Sequence, residues 1–114
     1  MDGAPPTERR AELRRPLRVR VRLRLPGQAP VEWRSVDLSA GGIGLVGDLN
    51  LPRGLDCSVG FTLRLANGSS HEVDCNATIA HTVFSSAHDG FIIGLQFRDP
   101  SPDLQSVLRR YLRG

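Results

Sequence analysis

From Pro16 onward the chain alternates with unusual regularity. Leu17, Val19, Val21, Leu23 and Leu25 are apolar, and Arg18, Arg20, Arg22 and Arg24 lie between them. A period of two puts one set of side chains in a core and the other in water, so this segment is predicted to be one continuous strand. A helix would scatter the same arginines around its axis. Pro26-Gly27 closes the strand. Similar patterns predict strands over about Val31 to Leu38, Ile43 to Val46, Asp56 to Leu65, Ser70 to Thr82 and Gly90 to Phe97. The links are a turn at Ser39 to Gly42, a loop carrying Pro52 and Gly54, an Asn67-Gly68 hairpin turn, and a polar connection over Val83 to Asp89.

The tail changes period. Leu104, Val107, Leu108, Tyr111 and Leu112 recur at steps of three and four, which predicts a helix over 102–112. Ser101 suits the N-cap, Pro102 the first helical position and Asp103 the first turn, while Arg109, Arg110 and Arg113 sit at the C-terminal end, where the helix dipole favours positive charge. The sum is an all-β protein: a small antiparallel barrel of six to seven strands with one C-terminal α-helix.

Length and charge narrow the picture. A chain of 114 residues makes one domain and buries a core without disulfides or a structural metal. Residues 1–7 are polar and Pro-containing and are expected to form a disordered tail, leaving 8–114 as the domain. All 15 basic side chains are arginine, and nine of them lie between Arg9 and Arg34, against only Glu12 and Glu32. That asymmetry points to an anionic partner, with nucleotide, nucleic acid, membrane surface and acidic protein all open. Cys57 and Cys75 form no C-x-x-C pair and no zinc spacing, so they read as buried, reduced thiols. No apolar run approaches the ~18 residues of a membrane span, and no apolar signal core opens the chain. A cytoplasmic location is the resulting expectation.

Two short motifs carry the candidate chemistry. Arg9, Arg10 and Arg14 form an Arg-Arg-x-x-x-Arg run, and Asp37, Ser39 and Gly42 form an Asp-x-Ser-x-x-Gly run that begins 23 residues after Arg14. Each alone is common: the first could be a solvated basic arm, the second a turn shaped by Asx and Ser hydrogen bonds. Their order and spacing, with a strand between them, further strands after them and a helix at the end, resemble the PilZ domain, a bacterial receptor module for cyclic di-GMP. The resemblance runs from about Glu8 to about Leu112.

The resemblance implies that Arg9, Arg10 and Arg14 grip the guanines and phosphates of cyclic di-GMP. An arginine fork matches both the O6/N7 edge of guanine and a phosphate. It further implies that Asp37 and Ser39 supply hydrogen bonds near guanine. A carboxylate accepts from the N1–H and N2–H edge, and a hydroxyl both donates and accepts. Gly41 and Gly42 would let backbone approach the ligand without a Cβ in the way. Arg15 extends the cluster outside the matched pattern, as a lesser candidate or as the first residue of the strand. His81 occupies the place where a side chain on a later strand often flanks guanine in this family; it is also readable as an exposed strand-end histidine. Trp33 reads as packing, Gly94 as structural, and His71 and His88 as turn residues without metal partners.

The function implied is a binding module that takes one cyclic di-GMP or a stacked pair. Ligand would order the arginine-rich leader over the barrel and so change contact with an unidentified effector protein. No cofactor, metal, enzymatic activity or specific nucleic acid is expected, and the chain would be a monomer or a weak dimer. Two other readings remain: a basic barrel that binds nucleic acid through the Arg18 to Arg24 face, and an adaptor that binds no nucleotide. The arginine face carries no aromatic side chain for bases to stack on.

Overall fold

The fold is that of a computed structural model, which describes residues 13–114. Seven strands follow one another: β1 (Arg14–Pro16), β2 (Arg20–Arg24), β3 (Val31–Ser39), β4 (Gly42–Gly47), β5 (Asp56–Arg64), β6 (Ser70–Ser85) and β7 (Gly90–Phe97). One helix, α1 (Pro102–Arg113), ends the chain. The strands pair antiparallel in the order β3-β2-β5-β6-β7-β4, and β4 pairs back onto β3, so six strands close a barrel; β1 adds to β3 beyond β2.

The alternation that marks the first segment does place its apolar residues inward. Val21 and Leu23 are fully buried, Leu17 and Leu25 nearly so. The segment is nevertheless two strands and not one. β2 pairs with the first half of β3 and β1 with its last residues, and Leu17 to Val19 bridge the two. The reason lies in Pro16, which has no N–H for a ladder, and in Ser35, which is buried opposite the break. Ser35 Oγ donates to Leu17 O at 2.5 Å and accepts from Val19 N at 3.0 Å, standing in for ladder bonds next to a bulge in β3.

The remaining strands run close to their sequence patterns, with one extension. β6 reaches Ser85, because Val83 and Phe84 continue to pair with Ile92 and Phe91. The Phe84 and Phe91 rings meet edge to face at 5.7 Å. His71 is the second residue of that strand, not a turn residue as expected, and its Nε2 lies 3.2 Å from Ser69 Oγ. Gly68 holds φ +90° in the hairpin turn, and Asn67 Oδ1 accepts from Ser69 N, as an Asx turn requires.

Inside, Leu38, Ile43, Leu45, Val59, Leu63, Ile79 and Ile93 form a dry centre. α1 packs Leu104 and Leu108 against this core. Its N-cap is Ser101, whose Oγ accepts from Leu104 N at 3.1 Å, and its C-cap is Gly114 at φ +76°. Among the described residues no helix is long and apolar enough to cross a membrane.

Candidate functional site

The turn after β3 is built from its own residues. Ser39 is 1% exposed; its Oγ accepts from Gly42 N at 3.2 Å and lies 3.4 Å from Gly42 O. The hydroxyl therefore closes the turn and does not face solvent. Gly41 O accepts from Phe97 N at 2.9 Å, which ties the turn to β7. Gly42 is packed so tightly that an added Cβ would fall 2.0 Å from Leu95 O.

Two residues before Ser39, Asp37 lies on the same face of β3 but is partly open to solvent. Arg14 Nη1 reaches Asp37 Oδ1 at 3.5 Å, with both side chains partly open. This contact follows from register: Arg14 pairs with Ser39 and Pro16 with Asp37, so Arg14 and Asp37 are diagonal neighbours on one face. An exposed pair at that distance contributes little to stability. Its guanidinium and carboxylate both remain free to engage a ligand.

Asp37 begins a lateral row across four strands. It pairs with Gly44 on β4, Gly44 with Gly94 on β7, and Gly94 with His81 on β6. Three strand spacings of about 4.8 Å put the Cα atoms at the two ends roughly 14 Å apart. The glycines leave space that the polar side chains use. A Cβ on Gly44 would lie 2.6 Å from Asp37 Oδ1, and one on Gly94 would lie 2.2 Å from His81 Cε1. The Asp37 carboxylate thus leans sideways over Gly44 of β4, and the exposed His81 imidazole lies over Gly94 of β7. Bulges beside Ser35 and at Ala80 set both residues on the outer wall. Gly44 is the member of this row that nothing in the sequence singles out beforehand; its signal is a glycine at alternating distance from Gly42.

Arg15 is not part of this site. Neighbouring strand residues point to opposite faces, and Arg15 turns toward α1. Its guanidinium carbon sits 4.9 Å from the Tyr111 ring centroid, and its Nη1 donates to Tyr111 O at 2.5 Å. Tyr111 returns a bond from its hydroxyl to Pro16 O at 3.1 Å. Arg9 and Arg10 lie outside the described residues. Trp33 is half-buried and packs over Gly47, where a Cβ would strike its ring at 2.5 Å.

The arginines of β2 stand on a mixed face. Arg20 and Arg22 share a shallow hollow with Glu32, Glu72 and Asp74. Arg20 approaches Glu32 at 3.9 Å and Arg24 approaches Asp74 at 3.7 Å. Arginine and carboxylate alternate there, which lowers the field that a polyanion would meet. Burial pushes the Cys57 thiol up to about 11, with the Asp56 charge adding to the effect, and burial also raises Cys75. Both are free thiols of the core, not nucleophiles. Among the described residues no group of His, Cys, Asp or Glu is arranged to hold a metal ion.

Fold and side-chain placement together define a small β-barrel module with a polar row on its outer wall. The chain belongs to the PilZ domain family, whose model matches residues 8–114. Solved structures of the same fold include the inhibitor of motility MotI/DgrA from Bacillus subtilis, at TM-score 0.79 and 16% identity over 90% of this chain and 49% of that one. The PilZ domain of YcgR from Escherichia coli, described with c-di-GMP, aligns at TM-score 0.66 and 19% identity over 92% of this chain and 89% of that one. The K. pneumonia MrkH–c-di-GMP complex aligns at TM-score 0.68 and 16% identity over 90% and 50%. The chain spans about half the length of MotI and of MrkH. No curated protein sequence matches it.

Proposed function

We propose that this chain is a cytoplasmic receptor for cyclic di-GMP, a binding module and not an enzyme. The observation that carries the reading is the row Asp37–Gly44–Gly94–His81, with Arg14 at its acidic end. It offers a carboxylate for the N1–H and N2–H edge of a guanine, an imidazole on which a base can stack, and a fork for a phosphate or the O6/N7 edge. Membership of the PilZ family and the c-di-GMP complexes of structural neighbours support the same ligand. Arg9 and Arg10 then close over the ligand from the leader. Ser39, Gly41 and Gly42 hold the turn that aims Asp37. The ligand binds as one molecule or as a stacked pair, and the ordered leader offers a changed surface to an effector protein. Residues 8–114 act as one unit in this reading, as a monomer or weak dimer.

Calorimetric titration tests it. Cyclic di-GMP should bind in the micromolar range or tighter, with no comparable signal from GTP or cyclic di-AMP. Charge reversal at Arg10 or Arg14 should weaken binding at least tenfold. Unchanged affinity in both variants refutes the assignment.

A further inference from the structure

A second concentration of positive charge lies away from the Asp37 row. At the C-terminal end of α1 a hollow of about 310 Å³ is lined by Arg15, Arg64, Leu65, Ala66, Arg110, Tyr111 and Gly114. Three of these are arginines from three separate elements, β1, β5 and α1. None of the lining side chains is acidic. Among the described residues the arginines with carboxylate partners are Arg14, Arg20, Arg24 and Arg98, so Arg15, Arg64 and Arg110 have none.

A basic last turn is ordinary for a helix, because cations there offset the dipole. That accounts for Arg110 and Arg113. It does not account for Arg64, which comes from the barrel, or for Arg15, which comes from the leader. Arg15 is moreover fixed in place. It stacks on the Tyr111 ring and spends one N–H on Tyr111 O, and a Cβ on Gly114 would fall 2.9 Å from its Nη1. A guanidinium carries five N–H donors, so a fixed Arg15 keeps donors for another acceptor. Like charges gathered around one hollow repel, and a bound dianion relieves that repulsion while taking paired N–H bonds from the forks. Leu65 and Ala66 add an apolar wall.

We propose that this hollow is an anion site for a compact phosphate-bearing group, presented by a small molecule or by a lipid headgroup. The proposal does not rest on the cyclic di-GMP reading, since Arg14 and Arg15 point to opposite sides of β1. Pyrophosphate is the probe for the first source, titrated at low ionic strength into the whole chain. Saturable binding is expected, with amide shifts at Leu65, Ala66, Tyr111 and Gly114. The R64E/R110E double variant, at exposed positions and checked for folding by circular dichroism, should weaken it at least tenfold. Arg14→Glu should leave it within twofold. Sedimentation with phosphatidylglycerol vesicles, against phosphatidylcholine, tests the second source. Binding there that is lost in R64E/R110E supports the site with a headgroup as its ligand. The proposal is overturned if neither probe binds, if binding survives R64E/R110E, or if it is lost in Arg14→Glu. A negative result leaves the cyclic di-GMP titration untouched, because that titration reads the other face.

Discussion

Replacing Gly42 by alanine is the sharpest structural test of how the site is built. The added Cβ would meet Leu95 O at 2.0 Å, Leu95 C at 3.1 Å and Gln96 Cα at 3.3 Å. All three are backbone atoms of β7, so no side chain can swing aside. Relief requires β4 and β7 to separate at the Gly42–Gln96 pair, which strains the Phe97 N to Gly41 O bond and the Ser39 cap on Gly42 N. Overpacking costs about 1–3 kcal/mol, and a weakened buried backbone bond adds about 1 kcal/mol. The lower chain entropy of unfolded alanine returns about 0.4–1 kcal/mol. The net loss is about 2–3 kcal/mol, or a drop in melting temperature of roughly 8–15 °C for a domain of this size. Circular dichroism melts, with urea midpoints at constant slope, give the value. Gly94→Ala is the control: the three atoms nearest its Cβ all belong to the exposed His81 ring, which can rotate, so its cost should stay under about 1 kcal/mol. A Gly42→Ala protein that melts within about 3 °C of the parent, or no lower than Gly94→Ala, refutes the reasoning.

Other perturbations have defined outcomes. Ser35→Ala removes the hydroxyl that serves Leu17 O and Val19 N and should cost about 2–4 kcal/mol in urea unfolding, because both backbone groups lose a buried partner. The Cys57 thiol is raised from 9.0 to about 11 in the fold, so the unfolded chain gives up that proton first. Stability should be complete below pH 9 and fall by about 2–3 kcal/mol as pH rises toward about 11; a Cys57→Ala protein should lose this part of the alkaline slope, and an identical slope in both counts against it. Arg15→Ala should loosen α1 by about 1–2 kcal/mol through loss of the Tyr111 stack and carbonyl bond, seen as faster amide exchange in the last helical turn. Unchanged exchange there would mean that the contact carries no weight.

The barrel was legible because most of its strands alternate cleanly and its turns carry Asn-Gly or glycine. The break at Pro16 was less visible, since the apolar period continues through Leu17 and Val19 even where the ladder does not. What restores those bonds is Ser35, and nothing in its neighbours signals that a serine is buried there. The candidate site was half legible. Asp37 and Gly42 announce themselves through local spacing. The partnership of Gly44, Gly94 and His81 depends on register across three strand pairs, and bulges beside Ser35 and Ala80 shift that register by one residue. A shift of one exchanges inside for outside. The same parity separates Arg14 from Arg15. Charge marks both as candidates, and only the start of β1 decides which one faces Asp37.

Amide chemical shifts recorded during a cyclic di-GMP titration test the central claim most directly. The account requires saturable changes along Asp37, Gly44, Gly94 and His81 together with Arg14, and their loss in Arg14→Glu. Changes confined to the β2 arginine face or to the last turn of α1, or no saturable change at all, would contradict it.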